Sequence, residues 1–281
     1  MAYLAPSSLQ DALSALAEGD ISVVAGGTDF FPMLGEKPAP DNILDITRID
    51  GLRGIRRTDD GWRIGATTRW RDVVKDDLPP CFDGLKAAAA EVGSHQIQNV
   101  ATVGGNLCNA SPAADGVPPL LALEASVELS APGGSRQVPL AEFIANVRQT
   151  RLRDGELLTA LHIPALPDNA TSSFVKLGSR RYLVISIAMV GVVVWVDSDD
   201  RVEGARVAVG SCSAVAQRLF VLEDALIGMP VADLRRVTVD SGHLTLLSPI
   251  TDARGTADYR LRAVAELCER AIAAAGGAGS G

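Results

Sequence analysis

Two glycine pairs, in AGGTD (25–29) and TVGGN (102–106), each follow apolar residues and each carry a hydroxyl residue. A chain that places Gly-Gly there must turn sharply or bring its backbone close to something, since a Cβ would block the approach and the turn can call for positive φ. Both pairs therefore read two ways. They are tight turns between secondary elements, or they are loops whose backbone N–H groups cradle phosphate oxygens. Neither is a G-x-G-x-x-G or a Walker A pattern, and two such loops together fit a pyrophosphate held from two sides. Asp29 and Asp115 are the discordant features, because a carboxylate is unfavourable beside phosphate and suits a hydroxyl or a ring N–H instead.

The pattern around these loops mixes α and β. In SSLQDALSALAE (7–18), Leu9, Leu13 and Leu16 fall at helical spacing, Ser7 with Gln10 fits a capping box, and Gly19 closes the helix. ISVVA (21–25) and NILDI (42–46) read as strands, with FFPMLG as a short helical turn between them. GIRRTDDGWRIGA (54–66) is a hairpin about Asp60-Gly61, and TTRWRDVVKD reads as a capped helix after it. LKAAAAEVG (85–93) is helical, PLLALEASVELS (119–130) passes from helix to strand, and a turn at Pro132-Gly133-Gly134 leads through VPLAEFIANV to ELLTALHIP (156–164). PALPDNATSS (164–173) has linker composition.

Beyond that linker the chain reads as strands with a turn at Ser198 to Asp200, then helices around QRLFVLEDALIG and DYRLRAVAELCERAIAAA. The expected organisation is α+β: residues 1–170, in two α/β subdomains (1–53 and 54–170), then a smaller α+β unit over 171–275 and a frayed tail over 276–281.

With 26 Lys and Arg against 34 Asp and Glu, the formal charge of −8 argues against a general attraction to nucleic acid or anionic membrane, so a bound anion must be held locally. Cys81, Cys108, Cys212 and Cys268 lie far apart and make no C-x-x-C pair, which points away from zinc, a cluster or a redox disulfide and towards free thiols in a reducing compartment. The N-terminus lacks a basic leader, and the apolar run at 184–196 is too short and too β-branched for a membrane span, so a cytoplasmic protein is expected. Lys176, Arg180 and Arg181 stand just before that run: either a solvated cationic turn, or a pocket edge where Lys176 steadies negative charge.

HQIQNVATVGGNLCNASPAAD (95–115) together with VVAGGTDFFPML (23–34) resembles the FAD-binding subunit of the molybdenum hydroxylases, the xanthine dehydrogenase and carbon monoxide dehydrogenase family. SRRYLVISIA and SPITDARGTADYR (248–260) resemble the C-terminal domain of the same flavoproteins, so the resemblance runs through nearly the whole chain. It implies an FAD-binding fold of the vanillyl-alcohol oxidase type, with FAD between the two α/β subdomains. By the same resemblance, Val23, Val24, Ala25, Gly26, Gly27, Thr28, Asp29 and Phe30, with Thr102, Val103, Gly104, Gly105 and Asn106, line the diphosphate and ribityl chain. Asp115 sits near the flavin ring or its ribityl hydroxyls, Leu158 is an apolar contact, and Lys176 lies close to the flavin. On this expectation Gly104→Val clashes with the diphosphate and abolishes FAD retention.

Relatives among the benzoyl-CoA reductases carry an inserted cysteine-ligated cluster, for which no cysteine grouping exists here. None of His95, His162 or His243 occupies a glycine-rich loop, so the FAD is expected to be noncovalent. The family's function then follows as an implication. A large molybdenum-cofactor subunit hydroxylates a small substrate, N-heterocyclic by analogy, and a small subunit with two iron–sulfur clusters relays electrons. This chain's FAD passes them to an external acceptor (NAD, a quinone, a cytochrome or oxygen), in a dimer of three-subunit units. No catalytic acid, base or metal ligand is required of the chain itself. A self-contained flavin oxidase or dehydrogenase and a scaffold without cofactor are the competing readings.

Overall fold

The computed structural model describes residues 2–180 and 183–277, so Arg181 and the end of the glycine-rich tail lie outside the described residues. The first unit contains β1 (Ala2–Leu4), α1 (Leu9–Ala17), β2 (Ser22–Val24), α2 (Phe30–Leu34) and β3 (Asn42–Asp45). Its three strands are parallel in the order β1-β3-β2. Ala12 and Leu13 of α1 pack on Leu44 and Ile46, a small core that Leu157 of the second unit also joins. The cap of α1 is Ser8 rather than Ser7, because the Ser8 hydroxyl accepts the Asp11 N–H at 3.1 Å. β1 carries no sequence signal: three exposed residues are strand only because they pair with Asn42 to Leu44.

The second unit runs β4 (Ile55–Thr58), β5 (Gly61–Gly65), α3 (Trp70–Lys75), α4 (Asp83–Glu91), α5 (His95–Gln98), α6 (Val103–Asn109), α7 (Val117–Ala122), β6 (Ser126–Ala131), β7 (Gly134–Pro139), α8 (Leu140–Phe143), β8 (Ile144–Asn146), β9 (Gln149–Thr150) and β10 (Leu157–Pro164). Five of its strands form an antiparallel sheet in the order β4-β5-β10-β6-β7, and the Asp60-Gly61 hairpin is its first turn. Trp70, Phe82, Leu107 and Leu120 fill the core beneath it.

After a connection over 165–170 come β11 (Thr171–Leu177), β12 (Ala188–Val196), β13 (Val202–Gly210), β14 (Gln217–Arg218), α9 (Phe220–Leu226) and α10 (Ala257–Gly277). Thr171 to Ser173, placed in the linker by composition, belong to β11, and Gly276 and Gly277, placed in the tail, end α10. The four-stranded antiparallel sheet β11-β12-β13-β14 has helices on both faces. Val193 and Ala208 join the core of the second unit, whereas Val190, Val192 and Val194 pack against Val264, Leu267 and Ala271 of α10. Both faces being covered, β12 reads as an unbroken apolar run, AMVGVVVWV.

The helix that joins the two halves is α7, whose six residues are all buried. Gly191 and Gly210, on neighbouring strands, make room for it: a Cβ on Gly191 would stand 2.7 Å from Pro119 N, and one on Gly210 would stand 2.9 Å from Pro118 Cγ. Carboxylates flank both ends. Before α7, Asp115 accepts from Lys176 Nζ of β11 at 2.7 Å; after it, Glu124 meets Arg206 of β13 at 2.8 Å and Arg218 of β14 at 3.1 Å. No helix among the described residues is long and apolar enough to cross a membrane.

Candidate functional site

A cleft of about 450 Å³ opens between the first unit and helices α5 and α6, lined on one side by every residue from Val23 to Phe30 and on the other by Ile97, Ala101, Thr102, Gly105 and Asn106. The first wall forms where β2 stops. Ile46 N–H donates to Val24 O at 3.0 Å as the final ladder bond, and the chain then turns over Ala25 and Gly26. A Cβ on Gly26 would lie 2.2 Å from Val100 O, so only glycine lets this loop rest on the segment that leads into the second glycine pair. Gly27 adopts φ +69°, with the Phe31 ring in the space its Cβ would take. Among the described residues no acceptor takes the N–H of Gly26, Gly27, Thr28 or Asp29. Four consecutive donors in a concave loop are the arrangement that binds anionic oxygens.

TVGGN behaves differently. It is the first turn of α6 rather than a loop, with Thr102 as N-cap accepting the Gly105 N–H at 3.1 Å. Val103 N–H donates to Thr68 O at 2.9 Å, Gly104 N–H to Ala66 O at 2.9 Å, and Asn106 N–H to Thr102 O at 3.1 Å. Every N–H from Val103 to Asn106 is thus spent inside the fold, so the loop reading of this stretch is corrected. What it offers the cleft is the Thr102 and Asn106 side chains and the bare surface of Gly105.

The two glycines divide their work accordingly. A Cβ on Gly104 would stand 2.8 Å from Ala66 O, away from the cleft, whereas one on Gly105 would meet only Thr102 Oγ1, at 2.8 Å. Val103 is fully buried behind the wall. Gly104→Val is therefore expected to separate α6 from Ala66, costing about 3 kcal/mol. Thermal unfolding of the apoprotein checks this: a lowered midpoint marks a packing glycine, and an unchanged midpoint with lost cofactor would restore the steric clash with a ligand.

Asp115, Leu158 and Lys176 do not line this cleft. Leu158 is buried in β10. Asp115 is buried in the segment leading into α7 and accepts from Lys176 Nζ at 2.7 Å and from Ser186 Oγ at 2.7 Å. Burial raises its pKa above the ordinary carboxylate value, against the opposing pull of Lys176 and Ser186. Lys176 lies within β11 rather than in a turn before the apolar run, and its ammonium is paired with Asp115. Arg180, the described member of the cationic turn, donates to Leu183 O.

Sequence reasoning missed Trp70, Ile97 and Asn109 as wall residues, and Cys108 lines the cleft too. Only HQIQN ahead of TVGGN could have hinted at Ile97; Trp70 arrives through a backbone bridge between Arg69 and Thr102. Trp70 Nε1 and Asn106 Oδ1 are buried with no partner among the described residues.

Comparison with known proteins accords with this geometry. Residues 1–166 match the model for the FAD binding domain in molybdopterin dehydrogenase, and residues 173–275 match that for the CO dehydrogenase flavoprotein C-terminal domain. The chain is 30% identical over 281 residues to the 6-hydroxypseudooxynicotine dehydrogenase complex subunit alpha of Paenarthrobacter nicotinovorans, covering 97% of this chain and 93% of that one. It is 31% identical over 273 residues to the glyceraldehyde dehydrogenase medium chain of Sulfolobus acidocaldarius, covering 96% of each. Among solved structures, a chain of carbon monoxide dehydrogenase from Hydrogenophaga pseudoflava superimposes with a TM-score of 0.85 at 28% identity, over 97% of this chain and 96% of that one. An N-terminal FAD-binding match followed by a flavoprotein C-terminal match places the chain in the family of FAD-binding subunits of the molybdenum-dependent dehydrogenases.

Proposed function

We propose that this chain holds FAD noncovalently in the cleft and serves as the electron-transferring flavin subunit of a molybdenum hydroxylase. The observation that carries this reading is the row of unspent N–H donors from Gly26 to Asp29, set across a cleft from Thr102 and Gly105. A dinucleotide needs a concave, donor-rich wall for its diphosphate and a side-chain-free surface for close approach, and both are present. Bound FAD supplies the reversible uptake and release of electrons.

Each residue has a part in this reading. The Val23 to Phe30 wall and Thr102 to Asn106 border the diphosphate and ribityl chain, the first through its N–H groups and the second through Thr102, Gly105 and Asn106. The family resemblance would also bring Asp115, Leu158 and Lys176 towards the flavin ring; none of the three lines the cleft, so in this reading the ring extends beyond it towards the second half. Since Lys176 is paired with Asp115, they bring a neutral couple to the ring rather than a free positive charge. Lys176 is the contribution of the unit over 171–275 to the site in this reading. The relatives' names, a complex subunit and a medium chain, support an assembly. Its members would be a large molybdenum-cofactor subunit acting on a small N-heterocyclic substrate, a small subunit with two iron–sulfur clusters, and this chain, in a cytoplasmic dimer of such trios that delivers electrons to an external acceptor.

Purified chain is expected to be yellow and to release flavin on acid treatment, and a colourless protein with no affinity for FAD would refute the reading. Gly105→Val is the directed variant: its side chain would stand where the dinucleotide comes closest to the wall. Flavin content should fall about tenfold or more, a loss of at least ~1.4 kcal/mol in binding free energy, while the circular dichroism stays unchanged. Co-purification with molybdenum and iron tests the assembly.

A further inference from the structure

Behind the Gly26 loop lies a second, smaller recess of about 220 Å³ that shares Ala25, Gly26 and Thr102 with the main cleft and is otherwise walled by Thr47, Arg53, Thr67, Arg69 and Val100. Arg69 is carried there by the chain itself. Arg69 and Thr102 form an antiparallel bridge, with Trp70 N–H donating to Ala101 O at 3.1 Å and Val103 N–H to Thr68 O at 2.9 Å. This bridge ties the segment bearing Arg69 to the N-cap of α6, and Gly26 in turn rests on Val100 and Ala101.

The charges there do not balance. Arg53 spends its guanidinium on Asp72 through a two-pronged contact at 2.9 and 3.0 Å. Asp72 also accepts the backbone N–H of Arg69 at 3.1 Å, but no carboxylate among the described residues lies within ion-pair distance of the Arg69 side chain. Two arginines and one aspartate leave one positive charge in excess, in a recess that reaches the Gly26 end of the row of free N–H donors. Asp29 stands on the same loop, so neutral donors alone would face a local negative charge. Arg69 shares the charge of its neighbouring carboxylate, Asp72, with Arg53, which leaves room for a further anion beside it.

We infer that Arg69 supplies the counter-charge for the diphosphate of the bound dinucleotide, reaching it from the recess behind Gly26 while the Gly26 to Asp29 N–H groups hold it from the front. The inference rests on the FAD reading above and adds to it an ionic contact that neither glycine motif contains. It accounts for how a chain of net charge −8 with an aspartate in its cradle would hold a dianion.

The test is equilibrium binding to the full chain stripped of flavin, with FAD, riboflavin and inorganic pyrophosphate as probes at two salt concentrations. Arg69→Gln is expected to weaken FAD and pyrophosphate by about tenfold to a hundredfold, the range of a charge-assisted hydrogen bond. It should leave riboflavin, which has no phosphate, unchanged, and should flatten the salt dependence of FAD binding. Arg69→Lys should recover much of the loss by keeping the charge. FAD binding with unaltered affinity and salt dependence in a folded Arg69→Gln variant would overturn the inference. If that variant does not fold, a riboflavin-like absence of salt dependence in wild-type FAD binding overturns it equally. Wild-type chain that binds pyrophosphate in an Arg69-dependent way but not FAD would refute the functional reading and leave the anion site standing.

Discussion

Gly191→Ala is expected to lower stability by about 3 kcal/mol, which for a chain of this size is a fall of about 5 °C in the unfolding midpoint. The added Cβ would stand 2.7 Å from Pro119 N and 2.9 Å from Pro118 C, both backbone atoms of a buried helix wedged between the halves. Neither can yield without moving α7, and α7 is anchored by ion pairs at both ends. Gly210→Ala provides the contrast. Its nearest neighbour is Met189 Cε at 2.4 Å, the far end of a flexible side chain, with Pro118 Cγ next at 2.9 Å. A methionine swings aside at small cost, so Gly210→Ala should lose less than half as much. Scanning calorimetry on both variants decides it, and equal losses would mean that the proline wedge is not the constraint.

Lys176→Met should be the most damaging single change at neutral pH, costing about 3–5 kcal/mol, because it leaves Asp115 buried without its cation. Both side chains of this pair are about nine-tenths buried, so solvent screens little of the loss. The loss must depend on pH in a definite direction. The carboxyl of Asp115 already titrates above its ordinary value of 3.8, through burial, and loses its largest charged support when Lys176 goes. The folded variant therefore takes up a proton at a pH where the unfolded chain has none. Folding is favoured at the acid end of that window, and stability falls as pH rises from the usual carboxylate range through the raised value. Urea titrations at pH 5 and pH 8 should show the variant relatively restored at pH 5, and Asp115→Asn/Lys176→Met should remove the difference. A deficit independent of pH would mean that Lys176 contributes packing rather than charge.

These two sites also mark what the sequence could and could not disclose. Local features were legible: the Asp60-Gly61 hairpin, the buried run of β12 and the AGGTD turn each rest on a few adjacent residues whose chemistry admits few conformations. The glycines were harder to interpret. Gly26 clears Val100, Gly104 clears Ala66 and Gly191 clears Pro119, all of them backbone approaches, while Gly105 faces the cleft. Composition cannot distinguish a glycine that admits a ligand from one that admits another segment of the chain, and that is why TVGGN read as a loop when it is the start of a helix. Asp115 and Lys176 are 61 residues apart, and nothing local to either announces the other. Arg69 was invisible for the same reason, since it reaches the site only through its bridge to Thr102.

The wedge of α7 has a consequence for how the protein is made. A chain emerging from the ribosome completes both glycine motifs and α7 well before β12 and β13, which cover that helix, have been synthesised. Until then the face of α7 formed by Pro118 and Pro119 lacks its cover, and Asp115 and Glu124 wait without their cations. A nascent chain halted just past residue 170 should therefore expose that proline face and two unpaired carboxylates, surface of the kind that chaperones engage.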